Sequence, residues 1–75
     1  MHFEDALKTI RKFGGVMYRK TNFIHCYKFN EGSNIIYKID VFNKENEFEK
    51  PAVFTSMDIM NDDWEVNLSG CWIDQ

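Results

Sequence analysis

Phe3-Glu4-Asp5-Ala6-Leu7-Lys8-Thr9-Ile10-Arg11-Lys12-Phe13-Gly14-Gly15-Val16-Met17-Tyr18-Arg19-Lys20 changes its hydrophobic period halfway along, and that change decides the fold class. Before the glycines, Phe3, Ala6, Leu7 and Ile10 fall at i, i+3, i+4 and i+7 and line one face of a helix, leaving Lys8, Arg11 and Lys12 on the other. Glu4 and Asp5 lie in the first turn and the basic residues toward the end, the order the helix dipole favours. Gly14-Gly15 tolerates the left-handed backbone of a helix stop, so the helix should end near Phe13. From Val16 the period becomes two, with Val16 and Tyr18 alternating against Met17 and Arg19, which is the pattern of a strand.

Working outward, Phe23, His25, Tyr27 and Phe29 alternate with Ile24, Cys26 and Lys28, and Ile35 to Phe42 is a second β-branched and aromatic run. The turn cluster Asn30-Glu31-Gly32-Ser33-Asn34 between them predicts a hairpin. Asn43 to Pro51 is polar and charged and reads as the main surface loop. Ala52-Val53-Phe54 reads as a short strand, and Thr55-Ser56-Met57-Asp58 has the capping-box pattern that opens a short helix through about Asn61. Trp64 to Leu68 alternates again and closes the sheet, leaving 69–75 as a tail with Cys71 and Trp72. The expected architecture is α+β: an N-terminal helix packed on a roughly five-stranded antiparallel sheet, with a short helix before the last strand, all in one domain spanning 1–75.

With 75 residues, 44% of them hydrophobic and 16% aromatic, the chain has the balance of a single small globular domain. Only about 60% of the unfolded surface can be buried at this size, so self-association is a natural source of further stability. Nine Lys and Arg against twelve Asp and Glu give a net charge of -3, the wrong sign for a generic nucleic-acid binder. No stretch approaches the roughly 18 apolar residues of a membrane span, and Met1-His2-Phe3-Glu4-Asp5 lacks the basic and apolar segments of a signal peptide. A cytoplasmic location with no membrane partner is therefore expected. Cys26 and Cys71 are too few for a disulfide scaffold and, with His2 and His25, lack the paired spacing of a zinc site.

Catalytic chemistry finds little support. His25 and Cys26 are neighbours on a predicted strand and point to opposite faces, so they cannot form a dyad with each other. Asp58 and Asp62 are read as a capping acid and a turn former rather than as metal ligands. Gly14-Gly15 lacks the spacing of a phosphate-binding fingerprint. No catalytic residue, metal or cofactor is expected, and the one residue that could overturn this is His25, whose strand could face the same pocket as Phe23 and whose ordinary proton affinity suits a general base. What stands out is polar and charged residues set beside aromatics in Tyr18 to Phe23 and in Thr55 to Trp64. Aromatic faces, a guanidinium and a few hydrogen-bonding groups are the usual parts of a site for a nucleotide-like molecule.

Together these segments resemble the Thoeris anti-defence 2 family of small phage proteins. The likeness rests on the Phe-x-x-Ala-Leu opening, the glycine stop, the strand ending in Arg19-Lys20, and above all Thr55-Ser56-Met57-Asp58-Ile59-Met60-Asn61-Asp62-Asp63-Trp64-Glu65-Val66. Asn61 stands at the family's small position, and Asn22, with Phe23 beside it, stands where members typically carry a Trp. The resemblance implies a sponge that binds a cyclic ADP-ribose-type immune signal, of the glycocyclic kind, and holds it uncleaved so that the Thoeris effector is not activated. Some relatives bind other cyclic nucleotides. It further implies a homo-oligomer, tetramer or dimer, in the cytoplasm of an infected bacterial host. On that resemblance Arg19, Asn22, Phe23, Thr55, Asp58, Asp62 and Asp63 are the candidate ligand-binding residues, with Trp64 as their floor. The alternative is a small phage inhibitor that acts by direct protein–protein contact, for which the acidic stretch Glu45 to Glu49 and the aromatic tail are the motivation.

Overall fold

A computed structural model describes residues 1–42 and 50–70, Phe23 through its backbone only. Helix α1 (Phe3–Phe13) is followed by strands β1 (Val16–Arg19), β2 (Asn22–Asn30) and β3 (Ile35–Asp40), then helix α2 (Ser56–Met60) and strand β4 (Trp64–Asn67). The four strands form one antiparallel sheet in the order β3-β2-β1-β4. The protein is α+β, as the change of period across Gly14-Gly15 predicts.

The helix stop is steric as well as conformational. Gly14 has φ 81° and ψ -159°, a region open essentially to glycine alone. Gly15 has φ 82°, and a Cβ there would stand 2.5 Å from the Asn67 carbonyl oxygen and 2.7 Å from Leu68 Cα. The chain thus turns from α1 into β1 directly against the end of β4.

Period-two alternation sorts the sheet into two faces. Met17 packs toward α1 with Phe3, Ala6, Ile10 and Trp64, and Leu7, Tyr27, Phe29, Phe54 and Val66 pack around them. Val16, Cys26, Ile39 and Val41, with Tyr18, form a second buried cluster. Register agrees with this sorting: Met17 lies opposite Tyr27 and Val66, and Arg19 lies opposite Trp64. Arg19 therefore shares the helix-side face with Met17 and Trp64.

Among the described residues the sheet has four strands rather than five. The stretch expected to make the fifth, Ala52-Val53-Phe54, pairs only through a bridge between Tyr37 and Pro51 and two flanking backbone bonds, Lys38 N–H to the Lys50 carbonyl and Ala52 N–H to the Ile36 carbonyl, each 2.8 Å. Pro51 has no N–H to extend the ladder. Phe54 then leaves the edge for the core, where its ring meets Phe3 at 4.8 Å, Tyr27 at 4.8 Å and Trp64 at 6.0 Å. Aromatic burial on the helix side outweighs two further edge hydrogen bonds, and the connection crosses from the β3 edge to the β4 edge under that pull.

Strand ends are set by side-chain turns. Asp40 accepts from Phe42 N–H at 3.0 Å and ends β3, and Asn67 accepts from Ser69 N–H at 3.0 Å and ends β4 one residue before the expected Leu68. Asn30 accepts from Gly32 N–H at 2.9 Å within the predicted hairpin turn, where Asn34 takes φ 59°. Of the expected surface loop, 43–49 lie outside the described residues. So do Cys71 and Trp72 of the tail and the acidic run Glu45 to Glu49.

Candidate functional site

Four of the predicted residues, drawn from positions 19 to 63, meet at one end of the sheet. Arg19 is the last residue of β1 and projects from the helix-side face beneath α2. Its Nε donates to Asp63 Oδ1 at 2.8 Å and its Nη2 to Asp63 Oδ2 at 3.0 Å, a bidentate pair. Its Nη1 donates to Asp58 Oδ1 at 3.3 Å. One guanidinium thus ties α2 to the entry of β4.

Asp58 is held from the other side by the cap of α2. Thr55 N–H donates to Asp58 Oδ2 at 2.9 Å and the Thr55 hydroxyl donates to it at 3.0 Å, while Asp58 N–H donates back to the Thr55 hydroxyl at 3.2 Å. This is the reciprocal capping box that the spacing of Thr55 and Asp58 predicts. Asp63 is fixed by its backbone as well, since its carbonyl accepts from Lys20 N–H at 3.0 Å across the β1–β2 turn. Thr21, in the same turn, donates its hydroxyl to Asp63 Oδ2 at 2.9 Å.

Beneath this cluster lies Trp64, 0% exposed, whose Nε1–H donates to the Asp58 carbonyl at 2.7 Å. Its ring is buried under the cluster and its one polar atom anchors α2. Tyr27 completes the floor, its ring 5.7 Å from that of Trp64. Burial raises the Tyr27 phenol above its usual proton affinity, and the Asp58 charge adds to this.

The charges in the cluster support one another. Arg19 holds the Asp63 carboxyl below the usual carboxylate range, with Thr21 adding and burial opposing. Burial alone would push Asp58 up, but the Thr55 N–H, the Thr55 hydroxyl and Arg19 together outweigh it and hold it low. Asp63 chiefly, and Asp58 second, raise the guanidinium further into its charged form. Both carboxylates stay ionised, and every one of their four oxygens accepts a hydrogen bond from within the chain.

The remaining predicted residues stand apart. Asn22 is exposed and lies opposite Arg19 across the first hairpin, and the Phe23 side chain lies outside the described residues. Asp62 is exposed, and it is its backbone carbonyl that is engaged, accepting from the Met1 nitrogen at 3.1 Å. Sequence reasoning missed Thr21, whose only signal was its place two residues after Arg19 in a tight hairpin turn. It also missed Lys20, whose Nζ pairs with Glu65 Oε1 at 3.0 Å along the rim. His25 is half-buried opposite Asp40, and burial lowers its proton affinity, with Lys38 contributing. Among the described residues no group of three His, Cys, Asp or Glu side chains is arranged to hold a metal ion, and no helix is long and apolar enough to cross a membrane. No protein family, curated protein or solved structure matches the chain.

Proposed function

We propose that this protein binds a cyclic ADP-ribose-type signalling nucleotide and sequesters it uncleaved, as a homo-oligomer in an infected bacterial cytoplasm, and so blocks Thoeris effector activation. The observation that supports this reading is the convergence of Arg19, Thr55, Asp58 and Asp63 on one surface over a buried aromatic floor. These are residues that the resemblance to Thoeris anti-defence 2 proteins singles out; the α2 capping box joins Thr55 to Asp58, and nothing in local secondary structure requires Arg19 and Asp63 to meet them. Arg19 spends one N–H on each of its three nitrogens within the chain, which leaves one on each Nη for phosphate oxygens. The hydroxyls of Thr21 and Thr55, which donate to Asp63 and Asp58, keep acceptor lone pairs for ribose hydroxyls, and the exposed Asn22 lies opposite Arg19 in register. The same geometry disfavours turnover: the carboxylates are held ionised by internal donors, and a general base wants a proton affinity near neutral and a free lone pair toward water.

Self-association has its own support. Helix α2 buries none of its residues, and Val53, Met57 and Met60 are 82%, 70% and 83% exposed. An apolar patch of this kind on a small chain is suited to a second copy. It equally favours the second reading, an inhibitor that works by covering a partner protein.

The two readings separate cleanly. Protein incubated with excess cyclic nucleotide, washed and heat-denatured should release intact ligand in stoichiometric amount, identified by mass spectrometry. Ligand at about 100 times its dissociation constant should also stabilise the fold by roughly 2.7 kcal/mol. Absence of any thermal shift across a panel of cyclic nucleotides rejects sequestration, and loss of ligand beyond one equivalent makes the protein an enzyme.

A further inference from the structure

The polar face of α1 borders a groove against the β2–β3 hairpin. Two adjoining hollows share Arg11, Phe29 and Asn34. One, of about 340 Å³, is completed mainly by Leu7, Ile36 and Phe54, and the other, of about 590 Å³, by Lys8, Lys12 and Glu31. The groove is apolar at one end and basic at the other, and none of its lining residues belongs to the Arg19 cluster.

The charges here differ from those at the Arg19 cluster. Arg19 and Lys20 are ion-paired, whereas Lys8, Arg11 and Lys12 make no ion pair among the described residues. The Arg11 guanidinium instead lies 5.5 Å from the centre of the Phe29 ring, held over an aromatic face at the junction of the two hollows. Three cations kept along one groove of a chain whose net charge is -3 form a local field opposite in sign to the whole.

We infer that this groove docks an acidic peptide segment of a partner protein, with an aromatic or aliphatic anchor seated between Leu7, Ile36 and Phe54 and carboxylates along Lys8, Arg11 and Lys12. The spacing fits. Lys8 and Lys12 are one helical turn apart, about 6 Å along α1, and alternate side chains of an extended peptide repeat at roughly 6.6 Å. The groove is open along its length, which suits an extended segment rather than an enclosed small molecule. A nucleic-acid backbone fits less well, because Glu31 stands on the basic rim and, beyond the shared Arg11 and Asn34, the other half of the groove is lined by apolar side chains.

The test is fluorescence anisotropy with the labelled peptide Gly-Glu-Asp-Glu-Phe-Glu-Asp-Glu-Gly, its Gln/Asn counterpart, its Phe-to-Ala counterpart, a Lys-for-Glu/Asp counterpart and a short oligothymidylate. The acidic peptide should bind saturably, and replacing the anchor or neutralising the acids should each weaken it at least about tenfold. The double variant Lys8→Glu/Lys12→Glu should lose the acidic peptide by a similar factor and gain the Lys peptide, a reversal that a folding defect cannot produce. Arg11→Gln, a helix-compatible change, should give a smaller loss in the same direction. No saturation by about 1 mM acidic peptide overturns the inference. So does charge-reversed protein that binds the acidic peptide as well as the wild type does, or tighter binding of the oligothymidylate. Because the groove is separate from the Arg19 cluster, nucleotide capture should be unchanged in both variants whichever way this test falls.

Discussion

Replacing Asp63 with Asn removes one charge and almost no volume, so it isolates the value of the Arg19 pair. Wild-type Asp63 accepts from Arg19 Nε at 2.8 Å, Arg19 Nη2 at 3.0 Å and the Thr21 hydroxyl at 2.9 Å. Asn keeps one acceptor oxygen and turns an NH2 toward a guanidinium N–H, donor against donor. A hydrogen bond to a charged group contributes about 1.5–3 kcal/mol where water is excluded, and an exposed ion pair about 0–1 kcal/mol. The Arg19 and Asp63 side chains are 20% and 21% exposed, which places the pair between these limits after solvent screening. The expected loss is about 2 kcal/mol, which for a domain of this size lowers Tm by about 8–16 °C. The acid limb provides a second readout. A carboxyl whose folded proton affinity is depressed stabilises the fold fully above its unfolded pKa near 4, and that stabilisation is lost as pH falls through the lower folded value. The gap between Asp63→Asn and wild type in urea denaturation should therefore be complete at pH 7 and close as pH falls past the ordinary carboxylate value and through the depressed folded one. A variant Tm within about 2 °C of wild type at pH 7 would refute the reasoning, as would a gap undiminished in acid.

Two further changes probe the frame around the cluster. Gly15→Ala should cost more than about 3 kcal/mol, because the new Cβ meets backbone atoms of Asn67 and Leu68 as well as an unfavourable φ. Gly14→Ala, strained in φ but with open space around it, should cost only about 1–3 kcal/mol, and equal Tm losses would count against the steric account. Trp64→Phe keeps most of the buried ring but deletes the 2.7 Å bond to the Asp58 carbonyl, and should destabilise by about 2–3 kcal/mol. Its loss should also free α2, seen as faster amide exchange at Ser56–Met60, and unchanged exchange there would show that Trp64 does not anchor the helix.

Legibility in the sequence followed the range of the interaction. The helix, its glycine stop, the period-two strands and the Thr55/Asp58 capping box are local patterns, and each occurs where the sequence predicts it. The strand count missed by one because Ala52-Val53-Phe54 carries a strand's composition, while its fate is decided by rings remote in sequence: Phe3, Tyr27 and Trp64 draw Phe54 inward. The same limit applied at the candidate site. The family resemblance nominates Arg19, Asp58 and Asp63 as groups that would face a ligand, but a sequence likeness carries no information on whether Arg19 and an acid 44 residues away will satisfy each other first. That they do so changes what each residue can be asked to do. Under the sequestration reading Asp63 fixes the plane of the guanidinium, so its removal should disturb stability and capture together.

This internal pairing constrains how a phosphate could be received. A ligand phosphate finds one uncommitted N–H on each Nη of Arg19, any closer engagement displaces a carboxylate, and the two carboxylates are not held equally. Asp63 is bidentate at 2.8 and 3.0 Å, while Asp58 meets Arg19 through a single contact at 3.3 Å and is held independently by Thr55. Displacing Asp58 from Nη1 costs one long hydrogen bond and leaves its carboxylate satisfied by the capping box, whereas displacing Asp63 breaks the fork and strands Thr21 as well. Under the sequestration reading, phosphate should therefore take the Nη1 side of Arg19 with Asp63 kept in place as the orienting group. The consequence is an asymmetry between two chemically identical substitutions. Asp58→Asn removes a competing negative charge and should hold or tighten nucleotide affinity, because like charge beside a bound phosphate is unfavourable at short range. Asp63→Asn frees the guanidinium to rotate and should weaken affinity at least about tenfold, equivalent to about 1.4 kcal/mol. Titration calorimetry on both variants with the same cyclic nucleotide, at a temperature where circular dichroism shows each folded, measures the difference directly. Equal losses in the two variants, or a larger loss in Asp58→Asn, would mean that Asp58 contacts ligand and that Asp63, not Asp58, is the carboxylate that yields.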